Sequence, residues 1–184
     1  MLLLVETKYI WFTQFGNHGQ LYNFVLLLPK QFLLKMEITI RNAVELDFPQ
    51  IVELIRELAI FEKTPQKMTN NVEKMTKEKE FFNSFVAETT DKKIVGYTTY
   101  IHCYFTWVGK SLYMDDLYVK PEFRGKGIGT KLLQQVIVYA KSSQCHKIRW
   151  QVSSWNTPAM DLYRKLGASI DGVEQNCELI LDES

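Results

Sequence analysis

Arg124-Gly125-Lys126-Gly127-Ile128-Gly129-Thr130 decides how this chain is read. A run with strand character, Leu112 to Val119, precedes it, and a long amphipathic run, Ile128 to Ala140, follows it. Strand, glycine-rich turn and helix start together make a cradle for phosphate. Glycine has no Cβ, so its backbone approaches an anion closely and adopts φ > 0 without penalty. The unpaired N–H groups of the helix's first turn then point at that anion, backed by the positive end of the helix dipole.

A P-loop needs a further glycine ahead of Gly109-Lys110-Ser111, at the position that Tyr104 occupies, and so does not fit. A dinucleotide fingerprint, G-x-G-x-x-G, fits poorly, because Gly125-x-Gly127-x-Gly129 closes one residue early. Asp115 and Asp116 in the preceding strand are also out of place in a fully buried parallel sheet. A glycine turn without a ligand fits the heptapeptide alone. The flanking residues decide.

The stretch Leu112-Tyr113-Met114-Asp115-Asp116-Leu117-Tyr118-Val119-Lys120-Pro121-Glu122-Phe123-Arg124-Gly125 resembles the strand and turn of the spermidine/spermine (thialysine-type) branch of the GNAT N-acetyltransferases. So does Trp155-Asn156-Thr157-Pro158-Ala159-Met160-Asp161-Leu162-Tyr163-Arg164-Lys165-Leu166-Gly167-Ala168. The resemblance covers Glu37 to the C-terminus. It implies an α/β, mixed α+β fold: a mostly antiparallel sheet of about six to seven strands, splayed between the fourth and fifth and flanked by about four helices. It also implies an acetyltransferase domain over residues 36–184. Residues 1–35 then form an N-terminal extension outside the fold, of unknown role.

The chain has 184 residues, 46% hydrophobic and 23% charged, enough for one domain with a real core. A formal net charge of +1 gives no bulk electrostatic reason to expect nucleic acid or an acidic membrane surface. Cys103, Cys145 and Cys177 form no CxxC pair, and free thiols fit a reducing cytoplasm. His18, His102 and His146 show no ligand spacing with them, so no metal is expected. The apolar run Met1 to Lys35 is broken by Glu6, Lys8, Gly16, Asn17 and Gly19. It is too interrupted for a membrane span and lacks the basic start of a signal peptide.

Glu37 to Asn42 alternates as a strand does. Asp47 is a candidate N-cap with Pro49 in the first turn, and Ile51, Leu54, Ile55, Leu58 and Ala59 form an apolar stripe, with Glu53 and Glu57 off it. That helix ends near Phe61-Glu62. Thr69 to Lys79 reads as a charged, exposed helix. Phe81 to Glu88 and Lys93 to Phe105 read as strands around the turn Thr90 to Lys93, and Trp107-Val108-Gly109 leads into the central strand. Ile128, Leu132, Leu133, Val136, Ile137 and Ala140 form a core-facing stripe. Ile148 to Val152 is the next, parallel strand. Asn156 is an N-cap and Gly167 a C′ residue around the last helix. Ser169 to Val173 and Cys177 to Leu181 read as closing strands.

The resemblance implies acetyl-CoA as co-substrate, held by Arg124, Gly125, Lys126, Gly127, Ile128, Gly129 and Thr130 at the diphosphate. Leu117, Tyr118 and Val119 are implied along the pantetheine arm, and Asn156, Pro158, Ala159 and Tyr163 beside it. The acceptor is implied to be a small-molecule primary amine, thialysine, lysine-like or a polyamine or diamine, attacked directly in a ternary complex. Phe61, Glu62, Trp107 and Asp115 are implied around that amine. Members that take polyamines carry an acidic residue just before the tryptophan, where this chain has Phe105 and Thr106, which tilts the acceptor toward a shorter, lysine-like amine. A free amine of this kind has a pKa of about 10.4, so a proton must leave it, and the departing thiolate benefits from a donor. Tyr163 is the implied general acid, and Asp115 or Glu62 the group that meets the ammonium. Each has a plainer alternative: a half-buried aromatic for Tyr163, a sheet carboxylate for Asp115, a solvated helix-end carboxylate for Glu62. A two-fold homodimer is a family expectation. A non-catalytic acyl-CoA sensor and a peptide N-acetyltransferase are the competing functions.

Overall fold

The computed structural model describes residues 9–15, 21–27 and 37–172. The chain divides into two compact units, Met1–Ile38 and Thr39–Ser184. In the first, β1 (Tyr9–Phe15) and β2 (Leu21–Leu27) pair antiparallel, in register from Tyr9 opposite Leu27 to Phe15 opposite Leu21.

The larger unit carries a five-stranded sheet in the order β3-β4-β5-β6-β7. Its strands are β3 (Ile38–Asn42), β4 (Asn83–Thr89), β5 (Ile94–Phe105), β6 (Gly109–Val119) and β7 (Lys147–Arg149). The pairs β4–β5 and β5–β6 are antiparallel, and β7 joins β6 in parallel. Helices α1 (Phe48–Phe61), α2 (Val72–Lys77), α3 (Ile128–Ser142) and α4 (Thr157–Lys165) complete it. Ile51, Val52 and Leu54 of α1 pack with Val86, Ile94 and Tyr97 of the sheet. Each fully buried aliphatic side chain contributes about 1.5–3 kcal/mol. Leu132, Leu133 and Val136 of α3 are fully buried.

Several expectations are corrected. Asp47 does not cap α1. Its carboxylate accepts from the Val44 N–H at 2.8 Å and from both Arg41 guanidinium nitrogens, a charged partner that outcompetes a cap. Glu57, off the apolar stripe as expected, accepts from the Tyr118 hydroxyl at 3.1 Å and pairs with Lys120. The charged helix shrinks to α2, capped by Asn71 accepting from the Lys74 N–H at 2.9 Å. The strand expected to reach Val152 stops at Arg149, because the pairing of β6 with β7 covers only Ser111, Leu112 and Tyr113. Residues 169–172 are irregular, a stretch in which Asp171 and Gly172 disfavour a strand, so among the described residues the sheet has five strands. Val173 and the strand read at Cys177 to Leu181 lie outside the described residues.

Candidate active site

The early end of β7 creates the site. Past Tyr113, β6 continues without its parallel neighbour among the described residues, and residues 151–153 are no longer in the sheet. The gap is a cleft of about 1030 Å³, with Asp115–Val119 along one wall and Gln151, Val152 and Ser153 along the other. That is ample for a large, partly apolar ligand.

The glycine turn closes one end. Gly125 has φ 72° and Gly127 φ 76°, and a Cβ at either would meet nothing within 4 Å. Glycine is therefore required there by backbone conformation, and the space beside it stays open to a ligand. Gly127 is the N-cap of α3 and offers no side chain to the first-turn amides. Those amides and the dipole behind them face the cleft, which Ile128, Gly129 and Thr130 line. The Arg124 Nε donates to the Val119 carbonyl at 2.8 Å, and its guanidinium lies 4.8 Å from the Phe61 ring and 5.3 Å from Tyr118. This turn fits a diphosphate: backbone donors at a helix start, open space at the glycines, and an arginine anchored beside them.

Carboxylates gather toward the middle of β6. Thr98 pairs with Leu117 and Tyr100 with Met114, so Asp115 and Asp116 together stand opposite Thr99. This bulge lets neighbouring residues, which would otherwise point to opposite faces, both line the cleft. Glu62, at the C-cap of α1, joins them, accepting a 2.5 Å hydrogen bond from the Ser153 hydroxyl. Burial pushes the Asp115 carboxyl up. Asp116 is pushed up to about 6, by burial first and then by the Asp115 charge, with a hydrogen bond from Tyr97 opposing them.

Tyr163 lines the same cleft from α4. The helix is well fixed. The Asn156 side chain accepts from the Ala159 N–H at 3.3 Å, and at the other end Gly167 (φ 85°) and Ala168 donate to the Arg164 and Tyr163 carbonyls, a Schellman closure. Trp150 meets the Tyr163 ring edge-on at 5.2 Å. Tyr163 is 6% exposed, and burial, followed by the charge of Glu62, pushes its phenol up, so it holds its proton at neutral pH.

The structure thus brings together Phe61, Glu62, Asp115, Leu117, Tyr118, Val119, Arg124, Gly125, Gly127, Ile128, Gly129, Thr130, Asn156, Pro158, Ala159 and Tyr163. Two expected residues fall elsewhere. Lys126 turns back, its ammonium donating to the Glu122 carbonyl at 2.9 Å and lying over the Phe123 ring. Trp107 is 98% exposed at the turn between β5 and β6 and does not line this cleft. It lies just before β6, whose course carries Asp115 roughly 20 Å beyond Gly109. Asp116, Ser153 and Trp155 line the cleft without having been singled out. Asp116 was legible as the second of two adjacent acids, and plain alternation puts it on the face of Tyr118, where the Tyr97 hydroxyl meets it.

A glycine turn open at a helix start, a strand edge freed by a splayed sheet and a buried phenol are the arrangement expected of a coenzyme A-type acyltransferase. The chain belongs to the acetyltransferase (GNAT) family, whose pattern matches residues 48–168. Over 142 residues it is 39% identical to a thialysine N-epsilon-acetyltransferase of Bos taurus, covering 71% of this chain and 84% of that protein. It is 32% identical over 139 residues to the human spermidine/spermine N(1)-acetyltransferase-like protein 1, covering 70% of this chain and 20% of that one. Among solved structures, an aminoglycoside acetyltransferase from a soil metagenome shares the fold, with a TM-score of 0.66 at 22% identity over 79% of this chain and 97% of that one. A "predicted acetyltransferase with acetyl-CoA" from Clostridium acetobutylicum gives 0.63 at 20% identity over 77% and 96%. The protein is an N-acetyltransferase resembling the spermidine/spermine type.

Proposed function

We propose that the protein transfers the acetyl group of acetyl-CoA to the primary amine of a small molecule, by direct attack in a ternary complex. One observation carries this reading: the glycine cradle, the unpaired edge of β6, three carboxylates and Tyr163 all line one cleft. The amides of Gly125 to Thr130 hold the diphosphate. The free edge at Leu117, Tyr118 and Val119 pairs with the pantetheine arm as a short added strand. Acetyl-CoA supplies an acyl group activated as a thioester.

Glu62, Asp115 and Asp116 attract the acceptor's ammonium and pass its proton outward, which leaves a free nitrogen lone pair. Holding that nitrogen against the acyl carbon supplies much of the rate. As the new C–N bond forms the nitrogen gives up its second proton to the carboxylates and water, and as the C–S bond breaks Tyr163 gives its proton to the departing sulfur and recovers one from solvent. A thialysine or lysine-like amine, or a diamine or polyamine, suits an acidic cleft and agrees with the names of the curated relatives. Residues 36–184 form the catalytic domain in this reading, with residues 1–35 outside it. A cytoplasmic homodimer belongs to this reading; Tyr104 near the end of β5 and Trp107 in the turn after it expose apolar surface that a second copy would cover. Light scattering that returns the monomer mass would remove the dimer.

The test is coenzyme A release with thialysine, lysine, spermidine and short diamines. Turnover with at least one is expected, and none with any primary amine overturns the reading. Trp107 does not narrow the cleft, so a peptide amine is the second reading. Peptide turnover far above that of every small amine would put it first.

A further inference from the structure

Three consecutive residues of β5 hold three different parts of one cleft residue. The Tyr97 hydroxyl donates to the Asp116 carboxylate at 2.8 Å. The Thr98 hydroxyl donates to the Asp116 carbonyl at 2.7 Å, and the Asp116 N–H donates to the Thr99 hydroxyl at 3.2 Å. These contacts sit at the bulge, where the extra residue takes backbone groups out of the ladder. Polar backbone left unpaired in a sheet interior costs free energy, and here two side-chain hydroxyls replace the missing strand-to-strand bonds. Tyr97 and Thr98 are fully buried and Thr99 is 9% exposed. For packing alone, valine and phenylalanine would fill these places at similar volume.

Resting on the acetyltransferase reading above, we propose that Tyr97, Thr98 and Thr99 are positioning residues for the acceptor. They fix the bulge and hold the Asp116 carboxylate charged at the point where an ammonium enters the cleft. The groups facing Asp116 are Tyr97 from β5, Asp115 and Tyr113 from β6 and Glu62 from the end of α1, with Arg149 of β7 acting on Tyr113. Burial first, and then the acidic neighbours, favour a protonated Asp116, and Tyr97 opposes them. Burial keeps the Tyr97 phenol protonated, so it stays a donor. Without that donor Asp116 keeps its proton to higher pH, and the amine site opens later as pH rises.

The test uses the full chain carrying Tyr97→Phe, Thr98→Val or Thr99→Val, with Thr98→Ser and Thr99→Ser as conservative partners. A single cooperative melt and unchanged acetyl-CoA affinity identify folded variants. In Tyr97→Phe the acid limb of kcat/KM for the amine moves up by about one pH unit, a tenfold loss below the midpoint. KM for acetyl-CoA and the kcat plateau at high pH stay in place. Each threonine-to-valine change raises KM for the amine several-fold, and serine restores it. A second readout needs no turnover: the Asp116 carboxyl carbon, assigned by its loss in Asp116→Asn, is titrated by NMR in the free protein. Its midpoint lies near 6 in the unmodified protein and higher in Tyr97→Phe. Identical Asp116 titrations in the two proteins overturn the proposal. So does a moved titration with an unmoved amine profile, or failure of serine to restore KM in a folded variant. Absence of acceptor turnover in the unmodified protein counts against the acetyltransferase reading instead, and the titration alone then decides the contact.

Discussion

The Ser153 hydroxyl donates to the Glu62 carboxylate across 2.5 Å, tying the end of α1 to the segment that leaves β7. It links two walls of the cleft and orients one of three carboxylates toward an incoming cation. In Ser153→Ala this bond to a charged group is lost, at about 1.5 kcal/mol. KM for the amine should rise roughly tenfold, as that energy corresponds to one decade. Acetyl-CoA affinity, read by calorimetry, should be unchanged, because the cradle lies at the other end. Equal losses toward both ligands would refute the orienting role.

Tyr163→Phe removes only an oxygen from a ring that Trp150 holds in place. The expected outcome is a kcat lower by about 10²-fold or more, the usual range for a positioned proton donor, with acetyl-CoA binding retained. The folded-state pKa of Tyr163 is raised, so the active, protonated form persists above the ordinary tyrosine value. The alkaline limb that this group sets in kcat should therefore appear above about pH 10. A limb well below that, or an unchanged kcat in the variant, removes Tyr163 as the acid.

Two glycines separate conformation from contact. At Gly127, with φ 76° and nothing within 4 Å of a Cβ, alanine is strained but meets no atom. About 1 kcal/mol is expected from the left-handed backbone, or a Tm lower by about 2–4 °C, together with weaker acetyl-CoA binding. At Gly96 a Cβ would lie 2.9 Å from the Tyr118 carbonyl, a backbone atom held in the sheet. Gly96→Ala should cost more stability, about 1–3 kcal/mol. The reverse order of the two melting temperatures would show that the turn, not the sheet, is the tighter constraint.

Arg41 grips Asp47 at 2.6 Å and Glu88 at 3.0 Å. Hydrogen bonds from Arg41 hold the Asp47 carboxyl below the usual carboxylate range, against the effect of burial. A lowered folded-state pKa gives stability that is present above the unfolded value, about 4, and is lost as pH falls through the folded value. Urea midpoints should therefore decline below about pH 4, and Asp47→Asn should be less stable at neutral pH with a shallower acid decline. Parallel pH curves for the two proteins would contradict this linkage.

Local chemistry was readable wherever a residue's role depends on its near neighbours. The Asn156 cap, the Gly167 closure and the apolar stripe of α3 are set within one or two helical turns. So are the glycines at 125 and 127, whose positive φ a short turn demands. Where a residue had to choose between a local and a distant partner, sequence alone chose wrongly. Asp47 prefers Arg41 to the α1 amides. Trp107 shows the same limit: a turn can be recognised from its residues, but the side of the sheet and the distance to the cleft cannot.

The motifs, through their resemblance to the GNAT family, were enough to determine the class of fold, and the glycine turn and the helix bearing Tyr163 follow from the residues themselves. The turn and the helix are written in residues adjacent in the chain, and hydrogen bonding over a few residues enforces them. The tertiary structure alone decided where β7 releases β6 and that a bulge turns Asp115 and Asp116 into the same opening. It alone placed Tyr97, Thr98 and Thr99 behind them. Strand register and bulges are settled by pairing energies between segments far apart in sequence, and no single segment carries that information.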